Sequence, residues 1–142
     1  MNCTIELTFE NLSMADKFVI TASVDQSKVT TKVPNGLTKI SLDFNDEVDE
    51  HCVCIDITGK TFEDTELDLN GNIVQDLLIS LVQVKVDDIE TTDHFYRSAE
   101  YIHDANGSAE LTSHDFFGPI GCNGRLILNF TSPFYIWYLK NL

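Results

Sequence analysis

Basic side chains are scarce in this sequence. Lysine and arginine together number 9 among 142 residues, against 23 aspartates and glutamates, so the formal net charge is −14. Because phosphate groups are bound through a basic face, this balance predicts that neither nucleic acid nor an anionic membrane surface is a partner. An acidic surface suits cations or basic patches on other proteins as partners. The alternative is that the negative charge has no binding role and only keeps the chain soluble.

Long apolar runs are also missing. No stretch approaches the roughly 18 residues that a membrane-spanning helix needs, so we expect no association with a membrane. The opening segment, MNCTIELTFE, has no charged head followed by an apolar stretch, and we therefore expect no signal peptide. The cysteines form no CxxC motif, and Cys52 and Cys54 would point to the same face of a strand, so no disulfide framework is indicated.

Apolar residues instead recur at every second position, which is typical of strands with one buried face. In the segment CTIELTFE, Cys3, Ile5, Leu7 and Phe9 share one face, and threonines and glutamates share the other. Similar alternation continues along the chain, with turn signals between the segments. We therefore predict an all-β fold over residues 1–142, a single antiparallel β-sandwich with about eight or nine strands and a jelly-roll-like topology.

Two further expectations concern individual strands. The alternating segments on either side of Asn35 and Gly36 predict a hairpin that turns at those two residues. Residues 76–88 predict the longest strand, with Val82 and the later valines on its core face. Near the start of that strand, residues 77–79 are apolar throughout, which predicts burial on both sides.

The segment DLNGN raises a choice between a calcium loop and a turn. An EF-hand loop counted from Asp68 fails at its sixth and twelfth positions, which need a glycine and a glutamate. Asn70 and Gly71 lie between extended segments, and this arrangement predicts a type I′ hairpin turn, in which both central residues have positive φ.

A calcium site of another kind remains open, because carboxylates near the ends of adjacent strands can supply oxygen ligands from several turns. Calcium is the one cofactor that the sequence suggests. Its candidate ligands are Asp68, Asp76, Asp87 and Asp88. The alternative is that these are solvated aspartates of turns.

Motifs of known catalytic chemistry are missing. The sequence contains no GxSxG, GxGxxG or P-loop pattern, and the loop around Cys122 offers no base that would activate its thiol. Three histidines each lie next to an aspartate, namely His94, His103 and His114. Histidines bind zinc, often with an aspartate accepting the second ring N–H, but the spacing of these three matches no metal motif. We therefore expect them in polar surface loops. We therefore predict a protein that is not an enzyme.

The C-terminal segment FTSPFYIWYLKNL is the best candidate binding surface, through Phe134, Tyr135, Trp137 and Tyr138. Exposed aromatic rings stack on sugars or insert into a partner protein, whereas buried rings would only close the core. The segment predicts a final strand or a short terminal turn. As a strand, it would place Phe134 and Tyr138 on one side and Tyr135 and Trp137 on the other.

Two segments resemble a group of small proteins encoded by large tailed bacteriophages of marine bacteria, including cyanophages. The first is residues 57–90, with the NGN turn and the paired Asp87 and Asp88. The second is residues 116–142, with the loop GPIGCNG and the closing FTSPFYIW. Residues 1–50 add nothing to the resemblance.

The resemblance implies a bacteriophage origin, and we accordingly expect a protein that is made in the host cytoplasm and assembled in multiple copies. Together with the small acidic β domain, it leads us to expect a non-enzymatic accessory component, decorating the capsid or associated with the tail, whose partners are other virion proteins. A second similarity, of residues 76–87 to the late strand of calcium-dependent carbohydrate-binding jelly rolls, implies a surface carbohydrate as ligand. A small enzyme or a host-enzyme inhibitor is the third alternative.

Overall fold

The computed structural model of the protein describes residues 2–47, 50–60, 66–75 and 77–142. In chain order its strands are β1 (Asn2–Asn11), β2 (Val19–Val24), β3 (Ser27–Lys32), β4 (Gly36–Asn45), β5 (Glu50–Thr58), β6 (Glu66–Leu67), β7 (Ile73–Gln75), β8 (Ile79–Val86), β9 (Ile89–Glu90), β10 (Glu100–His103), β11 (Thr112–Asp115), β12 (Pro119–Ile120) and β13 (Gly124–Thr131). The helices are α1 (Thr92–Ser98) and α2 (Phe134–Lys140). Neither helix is long and apolar enough to cross a membrane.

Two antiparallel sheets pack against each other, and the predicted all-β sandwich is confirmed. The first sheet has the order β12-β8-β1-β4, with β9 also paired to β8, and the second has the order β11-β10-β13-β5-β2-β3. A small separate hairpin joins β6 and β7. Of the described strands, nine have four or more residues, which fits the predicted number of strands. The chain passes repeatedly from one sheet to the other.

Alternation along the long strands builds the core between the sheets. Cys3, Ile5, Leu7 and Phe9 of β1 are all buried, as the period of two predicts. Complete burial of a side chain such as Leu7 contributes about 1.5–3 kcal/mol, so the inner faces of the strands hold the two sheets together.

The predicted hairpin at Asn35 and Gly36 is wrong. The strand before these residues, β3, pairs with β2 in the second sheet, whereas the strand after them, β4, pairs with β1 in the first. Gly36 has the positive φ of a turn residue, at 99°. The turn nevertheless carries the chain across to the other sheet, because β3 is already joined to β2 by a short turn of its own.

The predicted strand over residues 76–88 is also corrected. β8 has 8 residues, whereas β1 and β4 have 10 each. Its register with β1 skips Val82, and a bulged residue breaks the alternation of a strand. Val82 is therefore 38% exposed, while Val84 is buried as predicted. Leu78 is exposed too, so the expected burial of residues 77–79 on both sides is wrong.

Residues with positive φ mark the tight turns. The hairpin of β6 and β7 forms around the predicted segment, but its central residues are Leu69 and Asn70, because the Gly71 N–H donates to the Asp68 carbonyl at 3.1 Å. Of Asn70 and Gly71, only Gly71 has positive φ, at 81°. The type I′ assignment at that turn is therefore wrong. Asp87 and Asp88, with φ of 47° and 68°, form a two-residue turn between β8 and β9 that has the type I′ pattern.

The C-terminal aromatic segment forms a helix, not a final strand. Pro133 precedes α2, and the backbone N–H of Phe134 donates to Oδ1 of Asp46 at 2.8 Å, so a carboxylate from a distant turn caps the helix. At the other end, the Asn141 side-chain amide donates to the Trp137 carbonyl at 2.8 Å. These contacts outweigh the preference of aromatic residues for strands.

Candidate functional site

The predicted calcium ligand Asp68 serves a turn. Its Oδ1 accepts hydrogen bonds from the backbone N–H groups of Asn70 and Asn72, each at 2.9 Å. The N–H of Asn72, and then that of Asn70, holds the pKa of the Asp68 carboxyl below its usual value, because both bonds stabilise the charged form. An aspartate that bonds to its own following backbone is a common turn device.

Asp87 and Asp88 belong to the turn between β8 and β9. Oδ1 of Asp87 accepts the backbone N–H of Thr4 at 2.8 Å, and the Asp87 N–H donates to the Thr4 carbonyl at 2.9 Å. Asp76 lies outside the described residues. Among those that are described, no group of three His, Cys, Asp or Glu side chains is placed to hold a metal ion. Asp68, Asp87 and Asp88 are thus not brought together as one site.

The predicted aromatic surface is divided between two sides of α2. Phe134 is buried in the core, and Trp137 and Tyr138 are half-buried against it. Tyr135 is the exposed member of the predicted set, at 55%. Helical spacing explains this division, because positions i, i+3 and i+4 share one side of a helix.

The outer side of α2 is apolar as well. Tyr135, Ile136 and Leu139 are all exposed, and Leu142, just beyond the helix, is exposed with them. Their spacing places them on one side of the helix axis. Apolar side chains grouped in this way mark interaction sites, whereas singly scattered ones are ordinary.

The sequence predicted a surface loop around His94, but this residue is buried in α1. Its ring lies against those of Trp137 and Tyr138, with centroids 5.0 and 5.1 Å away. Nδ1 is 3.1 Å from Oγ of Ser98, whereas Nε2 is buried and has no hydrogen-bond partner among the described residues. Burial lowers the pKa of His94, because the charged ring would lose its water.

His103 and His114 stack face to face, with ring centroids 3.9 Å apart and an angle of 10° between the planes. Nδ1 of His103 accepts the backbone N–H of Ala105 at 3.0 Å. Burial, and then the neighbouring His114, lowers the pKa of His103. In the described part of the chain no third ligand joins them, so the pair is a packing contact between β10 and β11.

Sequence reasoning missed a hydrogen-bonded series of four side chains at one end of the sandwich. We call Asp25, His51, Ser132 and Asp46 the polar chain. Nδ1 of His51 lies 2.9 Å from Oδ2 of Asp25, and Nε2 lies 2.8 Å from Oγ of Ser132. The Ser132 hydroxyl donates to Oδ1 of Asp46 at 2.9 Å. The polar chain thus connects the turns after β2 and β4 to the start of α2.

The polar chain has the connectivity of a catalytic Asp–His–Ser triad, but its protons are ordered differently. In a triad the serine hydroxyl donates to the imidazole. A carboxylate such as Asp46 can only accept, so the single proton of Ser132, which the geometry directs to Asp46, is not available to the imidazole as it would be in a triad.

The surroundings of His51 also differ from those of a catalytic base. Its side chain has no exposed surface, and the rings of Phe44 and Phe130 lie 5.1 and 4.9 Å from its own. A general base must reach the proton that it removes from a bound substrate. The arrangement therefore favours holding the end of the sandwich together over acyl transfer.

A groove of about 730 Å³ lies on the outer face of the second sheet, and we call it the sheet groove. Ser23 is directly opposite Cys54, and Cys52 is directly opposite Asn129, so β2, β5 and β13 supply its floor. Trp137 of α2 lines it too. Desolvation raises the pKa of both thiols, so neither Cys52 nor Cys54 is charged at neutral pH. Alternation in β5 could have placed Cys52 and Cys54 on an outer face, but not beside Trp137.

Three features of the described residues bear on function. They are the exposed apolar side of α2, the polar chain that holds the start of α2, and the sheet groove on its other side. Comparisons of the chain with protein-family models, with curated proteins and with solved structures found no match.

Proposed function

We propose that the protein is a non-enzymatic accessory component of a bacteriophage virion, decorating the capsid or associated with the tail, that acts by binding another virion protein. The observation that carries this proposal is the exposed apolar side of α2, formed by Tyr135, Ile136 and Leu139. Each of these side chains is about half exposed, so its burial in a partner would contribute on the order of 1 kcal/mol.

The partner expected at this surface is a different protein, with an apolar groove and a basic rim. A net charge of −14 makes copies of the chain repel one another, which disfavours direct self-association. The same charge attracts a basic rim and speeds the encounter with it. Multiple copies then follow from repetition of the partner in the particle. The resemblance to phage proteins supports a virion as that particle.

The polar chain supports the same proposal, because it fixes the helix that would be presented. Asp46 caps α2 through the Phe134 N–H and also accepts from Ser132, which in turn contacts His51. A surface that is already ordered loses less conformational freedom on binding than a flexible one. The exposed side of α2 is therefore a prepared contact surface.

Mass spectrometry of gradient-purified phage particles tests the proposal, and we expect the wild-type protein to be present. A variant with Tyr135→Ser, Ile136→Ser and Leu139→Ser is expected to fold normally and to be lost from particles. The matched control is Leu12→Ser with Met14→Ser, which removes two strongly exposed apolar side chains elsewhere and should leave incorporation intact. Particles without the wild-type protein, or with wild-type amounts of the triple variant, would contradict the proposal.

A further inference from the structure

We infer that the sheet groove binds a neutral oligosaccharide, with Trp137 as the surface on which a sugar ring packs. This goes beyond the proposed role in the particle and uses the side of α2 opposite to Tyr135. Three properties of the groove carry the inference, namely the order of its floor, the fixed indole and the balance of charge.

The floor presents neutral hydrogen-bonding groups in rows along β5. Ser23 lies opposite Cys54 in one row, and Asn129 lies opposite Cys52 in the next. Thr131 follows in a third row, opposite Glu50 at the start of β5. Paired side chains on one face of a sheet are about 4.5–5.5 Å apart, so each of these hydroxyl or amide groups has a side chain of β5 beside it. Asn129 and Thr131 also follow each other on the same face of β13. Such a series suits an extended ligand that is rich in hydroxyl groups.

Trp137 supplies a flat apolar surface beside these polar rows. Its ring packs on Phe130 and Phe134, with both centroid distances at 5.9 Å, and the residue remains half-exposed. Packing on these two rings and on that of His94 fixes the indole before a ligand arrives, which lowers the entropic cost of binding. An indole is large, apolar and rigid, and it suits the apolar face of a sugar ring.

The charges favour a neutral sugar over a basic peptide or an acidic polysaccharide. Both carboxylate oxygens of Asp25 lie within 3.0 Å of Nδ1 of His51, so this charge is already engaged inside the protein. Among the described residues that line the groove, Glu50 is then the carboxylate left to a ligand. None of the described residues that line the groove is a lysine or an arginine, and Arg125, farther along the same face of β13, is already paired with Asp56 at 2.7 Å. An anionic sugar would therefore meet little counter-charge.

Trp137 is the one tryptophan of the chain, so its fluorescence reports directly on the groove. Cellohexaose, maltohexaose and chitohexaose, all neutral, are titrated into the full chain up to about 10 mM, and a saturable change in emission is expected with at least one. Asn129→Ala should weaken that binding about five- to tenfold, because it removes a hydrogen bond. Glu50→Gln should weaken it severalfold. Glu100→Gln, an exposed carboxylate of the same sheet outside the groove, should leave it unchanged.

Isothermal titration calorimetry with the same three sugars detects any binding that leaves the Trp137 emission unchanged. The inference is overturned when no sugar gives a saturable signal by either method, or when Asn129→Ala binds as tightly as the wild type. An octalysine peptide is titrated in parallel. Binding of that peptide with no binding of any sugar would identify a protein-docking groove and would equally overturn the inference.

Discussion

Asp46→Ala is expected to loosen α2 from the sandwich. Oδ1 of Asp46 accepts two hydrogen bonds, from Oγ of Ser132 at 2.9 Å and from the backbone N–H of Phe134 at 2.8 Å. A bond to a charged group contributes about 1.5–3 kcal/mol, and a lost helix cap costs about 1 kcal/mol. Because both bonds are only partly buried, we take the lower end for the first, and the total is then about 2.5 kcal/mol.

Thermal unfolding at neutral pH measures this effect. A domain of this size loses about 3 °C in melting temperature for each kcal/mol, so Asp46→Ala should melt about 8 °C below the wild type. Trp137 reports on α2, and its emission should shift to the red at a lower temperature than that at which circular dichroism records loss of the strands. Asp16→Ala removes an exposed carboxylate outside the polar chain and should cost less than about 0.5 kcal/mol.

Ser132→Ala separates the two bonds, because it leaves the Phe134 cap in place and breaks the connection to His51. We expect it to cost about half as much as Asp46→Ala. Equal melting temperatures for Asp46→Ala and Asp16→Ala would refute the reasoning. In that case the aromatic packing of α2, and not the polar chain, would hold the helix in place.

Four further outcomes are expected. Burial lowers the pKa of His94 below its ordinary 6.5, so below that pH the unfolded chain binds more protons than the folded one and stability falls as the solution is acidified. Melting temperatures at pH values on either side of 6.5 should show this decline, and His94→Gln should reduce it. Val84→Thr buries a hydroxyl and should cost about 1–3 kcal/mol in chemical denaturation, whereas Val82→Thr, at the bulge, should cost under about 0.5 kcal/mol, and equal costs would argue against the bulge. Adding calcium and then EDTA should leave the melting temperature unchanged, because Asp68 is already held by backbone amides, and a rise of several degrees would restore the calcium hypothesis. A fluorophosphonate probe should not label Ser132, because its hydroxyl donates to a carboxylate and not to an imidazole, and specific labelling there would overturn the proton order of the polar chain.

The strands could be predicted from the sequence because burial on one face imposes a period of two on each strand by itself. β5 follows that pattern over its whole length, and β1 departs from it at Thr8, which is buried between Leu7 and Phe9. The predicted core residues of both strands are buried. Where a partner changes the period, local reasoning fails. The bulge at Val82 arises from the register of β8 with β1, and the sequence of β8 alone does not predict it. The predicted hairpin at Asn35 and Gly36 is wrong for the same reason, because a turn residue does not determine which sheet the chain enters next.

α2 illustrates the same limit for helices. Its residues are mostly aromatic or β-branched, which locally favours a strand. The cap that starts the helix comes from Asp46, 88 residues earlier than Phe134 in the chain. No window of sequence around the helix contains that carboxylate. The aromatic residues divide into a buried and an exposed side because the segment is a helix. The sequence alone therefore could not show which members of the predicted binding surface are exposed.

The polar chain could not be predicted from the sequence, because its four members come together only through the order of the strands. Asp25, Asp46 and Ser132 each follow directly on the last residue of a strand, and His51 is the second residue of β5. A polar residue at a strand end is ordinary when it is considered alone, because strand ends reach water. The antiparallel pairing of β5 with β2 and with β13 brings three of these ends to one end of the sandwich. The chemistry of that end is therefore a consequence of strand order, and strand order is the property that alternation alone does not encode.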